Sequence, residues 1–168
     1  MKPKFLILFA GAVGSSKTPI AHHLSYHLKL PIFSNDAIRT EVIEDIGRFD
    51  EREYLKRRDA RLYELLGSGA SFIYDASIDR EWENRRSQVA ELGYEVFIIS
   101  LDLSRAALER LYRAKGYQES AKRLDELMND HGNFIASHQK DIALHLNDQN
   151  FGNRLTLSLD GVYKWLRS

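Results

Sequence analysis

Short apolar runs alternate along this chain with longer segments whose apolar positions recur every three or four residues. The first run, Lys-Phe-Leu-Ile-Leu-Phe-Ala at 4–10, reads as a strand buried on both faces of a parallel sheet. Residues 17–29 follow with Ile20, Ala21, Leu24 and Leu28 at helical spacing. Pro19 falls in the first turn of that helix, where a missing N–H costs little. A short strand at 30–33 comes next, and Ser34, Asn35 and Asp36 then cap a helix from about Ala37. Residues 51–66 predict a highly charged helix ended by Gly67, Ser68 and Gly69. A third strand at 70–74 ends at Asp75, and a helix over 79–92 is stopped by Gly93. A fourth strand spans 95–101, and Ser104 caps a helix running through Arg113 to about Lys115. Residues 118–146 read as helical with a break near Gly132. A fifth strand at 154–158 and a terminal helix at 162–166 complete the pattern.

Strands alternating with helices predict an α/β chain, with a five-stranded parallel sheet between two helical layers in one domain over residues 1–168. Ligands of such sheets bind beyond the carboxyl ends of the strands. The segments to inspect are therefore 11–18, 34–39, 75–79 and 102–104.

The first of these carries the strongest signal. Gly11, Ala12, Val13, Gly14, Ser15, Ser16, Lys17 and Thr18 nearly match the phosphate-loop pattern G-x-x-x-x-G-K-[ST], between a strand and a helix as that loop requires. Backbone N–H groups of such a loop and its helix N-terminus point at an anion, and the helix dipole favours negative charge. Lys17 adds a positive charge for the β- and γ-phosphates, and the Thr18 hydroxyl suits a Mg²⁺ ion. Ser16 stands where the second glycine belongs. At positive φ a serine there costs on the order of 1–2 kcal/mol, and at negative φ very little.

Asp36 and Arg39 share one face at a helix start. They suit a carboxylate that accepts a hydroxyl proton and a guanidinium that holds an anionic group; a helix cap and a solvated arginine are the plain structural account. Asp75, ending the third strand, suits a carboxylate near the Mg²⁺, or a polar strand terminator. The segment 110–125 carries Arg110, Arg113, Lys115, Lys122 and Arg123 around a Gly116-Tyr117 break, the make-up of a hinged lid. Glu109, Glu119 and Asp125 alternate with these bases, as on a solvated face. His23 and His27 lie four apart without a third ligand and read as surface, as do Lys56, Arg57, Arg58, Arg61, Arg85 and Arg86 among acidic neighbours.

Composition narrows the setting. Lys plus Arg and Asp plus Glu are both 24, so no global field recruits nucleic acid or a membrane and any anion site is local. The chain has no Cys, which excludes disulfides and thiolate chemistry. No apolar run approaches a membrane span, and the first residues lead directly into a strand rather than forming a signal peptide. A reducing, cytoplasmic location is the expectation.

Over most of 4–125 the chain resembles small P-loop kinases of the polynucleotide-kinase-like group, which includes zeta-toxin-like and chloramphenicol-phosphotransferase-like enzymes. The marks are the loop at 11–18, Ser-Asn-Asp-Ala-Ile-Arg at 34–39, Phe-Ile-Tyr-Asp-Ala-Ser at 72–77, Arg85-Arg86, and 96–101 leading into Leu-Glu-Arg-Leu-Tyr-Arg at 108–113. Ser77 and Ile78 replace a Thr-Asn pair that the group carries. The resemblance implies a nucleoside-kinase-like P-loop NTPase fold with ATP and Mg²⁺ bound by residues 11–18. It further implies Asp36 as the base on the acceptor hydroxyl, Arg39 as the acceptor clamp, Asp75 organising the metal or Arg39, and Arg113 as the lid arginine. The expected activity is ATP-dependent phosphoryl transfer to a hydroxyl: a polynucleotide 5′-hydroxyl first, or another nucleotide-like molecule, a sugar nucleotide or an antibiotic. The alternative is a nucleotide-binding module that has lost catalysis.

Overall fold

The computed structural model describes residues 4–168; residues 1–3, which the sequence places just ahead of the first strand, lie outside them. Five parallel strands form one sheet: β1 (Phe5–Ala10), β2 (Ile32–Ser34), β3 (Phe72–Ser77), β4 (Glu95–Asp102) and β5 (Ile142–Asn147), in the order β2-β3-β1-β4-β5. The helices are α1 (Lys17–Leu28), α2 (Asn35–Ile46), α3 (Glu51–Gly67), α4 (Trp82–Glu91), α5 (Arg105–Lys115), α6 (Gln118–Lys122), α7 (Leu124–His138) and α8 (Arg154–Leu166). They cover both faces, giving the expected three-layer α/β/α architecture.

Every residue of β1 is buried, and its alternation divides the core. Phe5, Ile7 and Phe9 pack with Ile20 and Leu24 of α1 and Val162 of α8. Leu6, Leu8 and Ala10 pack on the other face with Leu62 and Leu66 of α3, Val89 of α4 and Phe134 of α7. A third cluster, Ala12, Leu103, Ala107, Leu108, Tyr112 and Leu124, sits beneath the phosphate-loop region and the 110–125 segment. Burial on both faces explains why β1 and β4 read as continuous apolar runs.

The carboxyl-terminal third departs from the sequence expectation. The fifth strand is Ile142–Asn147, and 154–158 opens α8 instead. Ile142, Leu144 and Leu146 alternate with more exposed residues, the period of an edge strand. Conversely Leu155, Leu159, Val162 and Leu166 fall on one helical stripe, the signal that outweighs local alternation at 154–158. The predicted helix at 118–146 is two helices separated at Arg123 that end at His138, followed by a 3-10 turn and the start of β5, and α7 runs past Gly132 unbroken. β3 continues to Ser77, so Asp75 lies inside the strand, paired with Ser34. The helix expected from Asp79 begins at Trp82.

Candidate functional site

The turn after β1 holds three positive φ angles within six residues: Gly11 at 142°, Gly14 at 74° and Ser16 at 90°. Ser16, the N-cap of α1, is therefore left-handed, the costly case for a side chain at that position. Arg154, the first residue of α8, meets it: Nε donates to the Ser16 Oγ at 2.7 Å and Nη1 to the Phe151 carbonyl at 3.1 Å. No side chain caps α1 and no acid stands in its first turn, so its N-terminal field is uncompensated from within the helix.

Lys17 is buried within the loop. Its Nζ donates to the Ala12 carbonyl at 2.5 Å and the Gly11 carbonyl at 3.0 Å, with the Ser15 hydroxyl at 3.3 Å. Burial pulls this ammonium down to about 8, and the carboxylates of Asp79 and Asp75 resist the fall. The Thr18 Oγ1 donates to Asp75 Oδ1 at 3.1 Å, joining the loop to β3. Burial raises the Asp75 carboxyl above its ordinary value, against the Thr18 bond and the Lys17 charge. Thr18 and Asp75 are hard oxygen donors facing one cavity, a pair that fits Mg²⁺ held partly by phosphate oxygens.

That cavity holds about 960 Å³. Val13, Gly14, Ser16, Lys17, Thr18 and Pro19 line one end, Asn35, Asp36, Tyr54 and Asp75–Ser77 the other, and residues 115–120 complete the wall. Asp36 is exposed and has no hydrogen bond or ion pair among the described residues. The N-cap of α2 is Ser34, so the helix-cap account of Asp36 does not hold. Arg39 lies outside the lining, its guanidinium 3.8 Å from the centre of the Phe49 ring. Arg113 is exposed and also outside the lining. In the 110–125 segment it is Lys115 that reaches the loop, with Nζ donating to the Gly14 carbonyl at 2.7 Å. Burial and then Arg154 lower the Lys115 ammonium. The Tyr112 hydroxyl donates to the Val13 carbonyl at 2.6 Å. A Cβ on Gly14 would stand 2.8 Å from the Tyr112 ring and 2.9 Å from Tyr117, so this glycine admits the close approach of α5. The glycine-rich turn, its single buried lysine and the uncapped helix end fit a polyphosphate.

Several residues of this set escape a reading of the sequence. Arg154 lies 138 positions from Ser16. Asp79 accepts from the Gly11 N–H at 3.1 Å and touches His131 Nδ1 at 3.1 Å; His131 Nε2 touches Asp102 Oδ1 at 2.8 Å. Asp102 was within an inspected strand end, but nothing local to His131 or Arg154 marks it. Among the described residues no group of three or more His, Cys, Asp or Glu could hold a metal, and His23 and His27 merely approach with ring centres 4.6 Å apart.

No family model matches the chain, and no curated protein matches it. Solved structures do. An APS kinase from Mycobacterium tuberculosis, determined with AMPPNP and APS, is 19% identical over 97% of this chain and 99% of its own, with a TM-score of 0.64. A shikimate kinase from Acinetobacter baumannii with shikimate is 18% identical over 99% and 95%, with a TM-score of 0.63. A gluconokinase from Sinorhizobium meliloti 1021 is 14% identical over 98% and 94%, with a TM-score of 0.57. At these identities the likeness establishes the fold alone, one that these three kinases share.

Proposed function

We propose that this protein is an ATP-dependent kinase that transfers the γ-phosphoryl group to a hydroxyl. The carrying observation is the Thr18–Asp75 hydrogen bond of 3.1 Å in a cavity that continues from the phosphate loop to Asp36. In this reading residues 11–18 cradle the triphosphate, and Lys17 turns from the loop carbonyls to the β- and γ-phosphates. Thr18 and Asp75 hold Mg²⁺, which when bound neutralises charge on the phosphate oxygens. Asp36 accepts the acceptor's proton as its oxygen attacks. The new oxygen–phosphorus bond forms in line with the breaking β–γ bridge, ADP leaves, and Asp36 returns the proton to water. Lys115 closes over the phosphates from the 110–125 segment, ahead of Arg113. Arg39 belongs to the acceptor side only if it leaves Phe49. A cytoplasmic setting, expected from the cysteine-free sequence, belongs to this reading; no described helix is long and apolar enough to cross a membrane.

The sequence resemblance ranks a polynucleotide 5′-hydroxyl first as acceptor, whereas the solved neighbours are named for small molecules. A screen with labelled ATP over 5′-hydroxyl oligonucleotides, sugars, nucleosides and antibiotics tests both. Asp36→Asn is expected to cut kcat on the working acceptor by about 100-fold or more with ATP affinity nearly unchanged. Wild-type turnover in Asp36→Asn would remove the assigned base.

A second reading, a nucleotide-binding module without catalysis, rests on Ser16 at φ 90° in the loop. It requires ATP binding with neither transfer nor slow ATP hydrolysis in Mg²⁺.

A further inference from the structure

The end of the cavity away from the phosphate loop has a one-sided hydrogen-bonding character. Glu81 sets it. Its carboxylate accepts from Arg58 Nη1 at 2.6 Å and Arg85 Nε at 2.9 Å, so it is ionised and acceptor-only. The Tyr74 hydroxyl lies 3.3 Å from Glu81 Oε2 and must donate to it. Having donated, the Tyr74 oxygen can only accept, and the Asn35 Nδ2 supplies a hydrogen at 3.3 Å. This network fixes the Asn35 amide. The Asn35 Oδ1 is then buried with no partner, an unsatisfied acceptor on a residue that lines the cavity.

Beside it stand two further acceptors, the carboxylates of Asp36 and Asp75. The Lys17 charge reaches both, but its ammonium is held by the loop carbonyls. Among the described residues, Lys17 and Lys115 are the basic residues lining the cavity, and both contact the phosphate loop. Arg58 and Arg85 are satisfied by Glu81 and Asp59, and Arg39 is stacked on Phe49. With Lys17, Lys115 and Mg²⁺ taken up by ATP, an acceptor carrying a carboxylate or phosphate would place its charge against Asp36 with no paired cation, which is unfavourable. A molecule with several hydroxyl or ammonium hydrogens satisfies both Asn35 and Asp36.

We infer that the acceptor is a donor-rich, non-anionic small molecule, a neutral polyol or an amino-polyol, recognised by Asn35 and Asp36. This rests on the phosphotransfer reading above and narrows it.

The test uses the full chain, Mg²⁺, γ-labelled ATP and an aqueous small-molecule extract of bacterial cells. Ion exchange at neutral pH divides the extract into cation-retained, unretained and anion-retained fractions. Labelled product is expected from the cation-retained or unretained fraction and not from the anion-retained one. Product from the anion-retained fraction at an equal or higher rate overturns the inference, returns Arg39 to the acceptor and leaves phosphoryl transfer standing. Product from no fraction counts against phosphoryl transfer itself, and the inference falls with it. With the active fraction in hand, Asn35→Leu is expected to raise the acceptor KM by about tenfold while the ATP KM stays within about twofold. An unchanged acceptor KM overturns the role of Asn35.

Discussion

At the scale of single residues, Ser16 combines a strained backbone with a long-range hydrogen bond in the turn after β1. The sequence shows only that a serine occupies a glycine's place; the structure gives its φ as 90°. The strain, on the order of 1–2 kcal/mol, is set against a hydrogen bond from Arg154 that a glycine could not accept, worth about 1–2 kcal/mol. The two terms nearly cancel. Ser16→Gly relieves the strain but loses the bond and loosens the unfolded chain, so denaturant unfolding is expected to shift by less than about 1 kcal/mol. Ser16→Ala keeps the strain, loses the bond and leaves the guanidinium short of a partner. It is expected to be less stable than Ser16→Gly by about 1–2 kcal/mol. Equal stability of Ser16→Ala and the parent would show that Arg154 does not support the loop. A large gain in phosphoryl transfer in Ser16→Gly would favour the binding module over the kinase.

At the scale of elements, the contact between α5 and the phosphate loop is the informative one. Three features hold the loop to the 110–125 segment: the Tyr112–Val13 bond, the Lys115–Gly14 bond and the space left by Gly14. Gly116, at φ 70°, ends α5 and frees the chain to turn into α6. Gly14→Ala would strain a backbone at φ 74° and drive a methyl into two tyrosine rings. A loss of about 2–3 kcal/mol in unfolding free energy is expected, with weaker nucleotide binding in calorimetry, because the rings can move only by lifting the segment off the loop. Unchanged nucleotide affinity would mean that the segment's seat on the loop does not matter for binding. The 110–125 segment stood out in sequence as a run of bases around Gly116-Tyr117, but which base reaches the loop was not legible. Lys115 and Arg113 differ by their angular position on α5, which only the packing of Leu108 and Tyr112 in the third core cluster fixes.

At the scale of the whole molecule, one buried ionic group ties three strand ends and a helix together. His131 of α7 is held between Asp79 after β3 and Asp102 at the end of β4, with Ser100 beside it and Phe134 stacked at 6.4 Å; His145 of β5 meets Asp102 at 2.6 Å. Burial opposes charge on His131, but its bonds to Asp102 and Asp79 prevail and raise it from 6.5 to about 9. Because the folded value lies above the unfolded one, this contribution is complete below about pH 6.5 and is lost as pH rises through about 9. On the acid side, burial works against the Asp102 charge, yet the bonds from His131, Ser100 and His145 lower it from 3.8 to about 2, so its share is lost as pH falls through that interval. The unfolding free energy is expected to fall by a few kcal/mol between pH 6.5 and 9, on the order set by the raised His131 value. His131→Gln should flatten that slope, as urea titrations at several pH values would record. A slope unchanged in His131→Gln would assign the loss to other groups.

The sequence by itself determined the alternation of strands and helices, the parallel sheet, the phosphate-loop pattern, and the placing of Asp36 after the second strand and Asp75 in the third. These are legible because a strand buried on both faces, a helical stripe and a glycine turn each impose a local periodicity or composition. Tertiary structure alone decided which of two alternating segments is the fifth strand. Residues 142–147 and 154–158 carry similar local patterns, and only the room beside β4 and the apolar stripe of α8 on α1 separate them. It also decided that Arg39 stacks on Phe49, that Lys115 rather than Arg113 meets the loop, and that Arg154 meets Ser16. Those outcomes depend on contacts between residues far apart in the chain, whose energies no local pattern encodes.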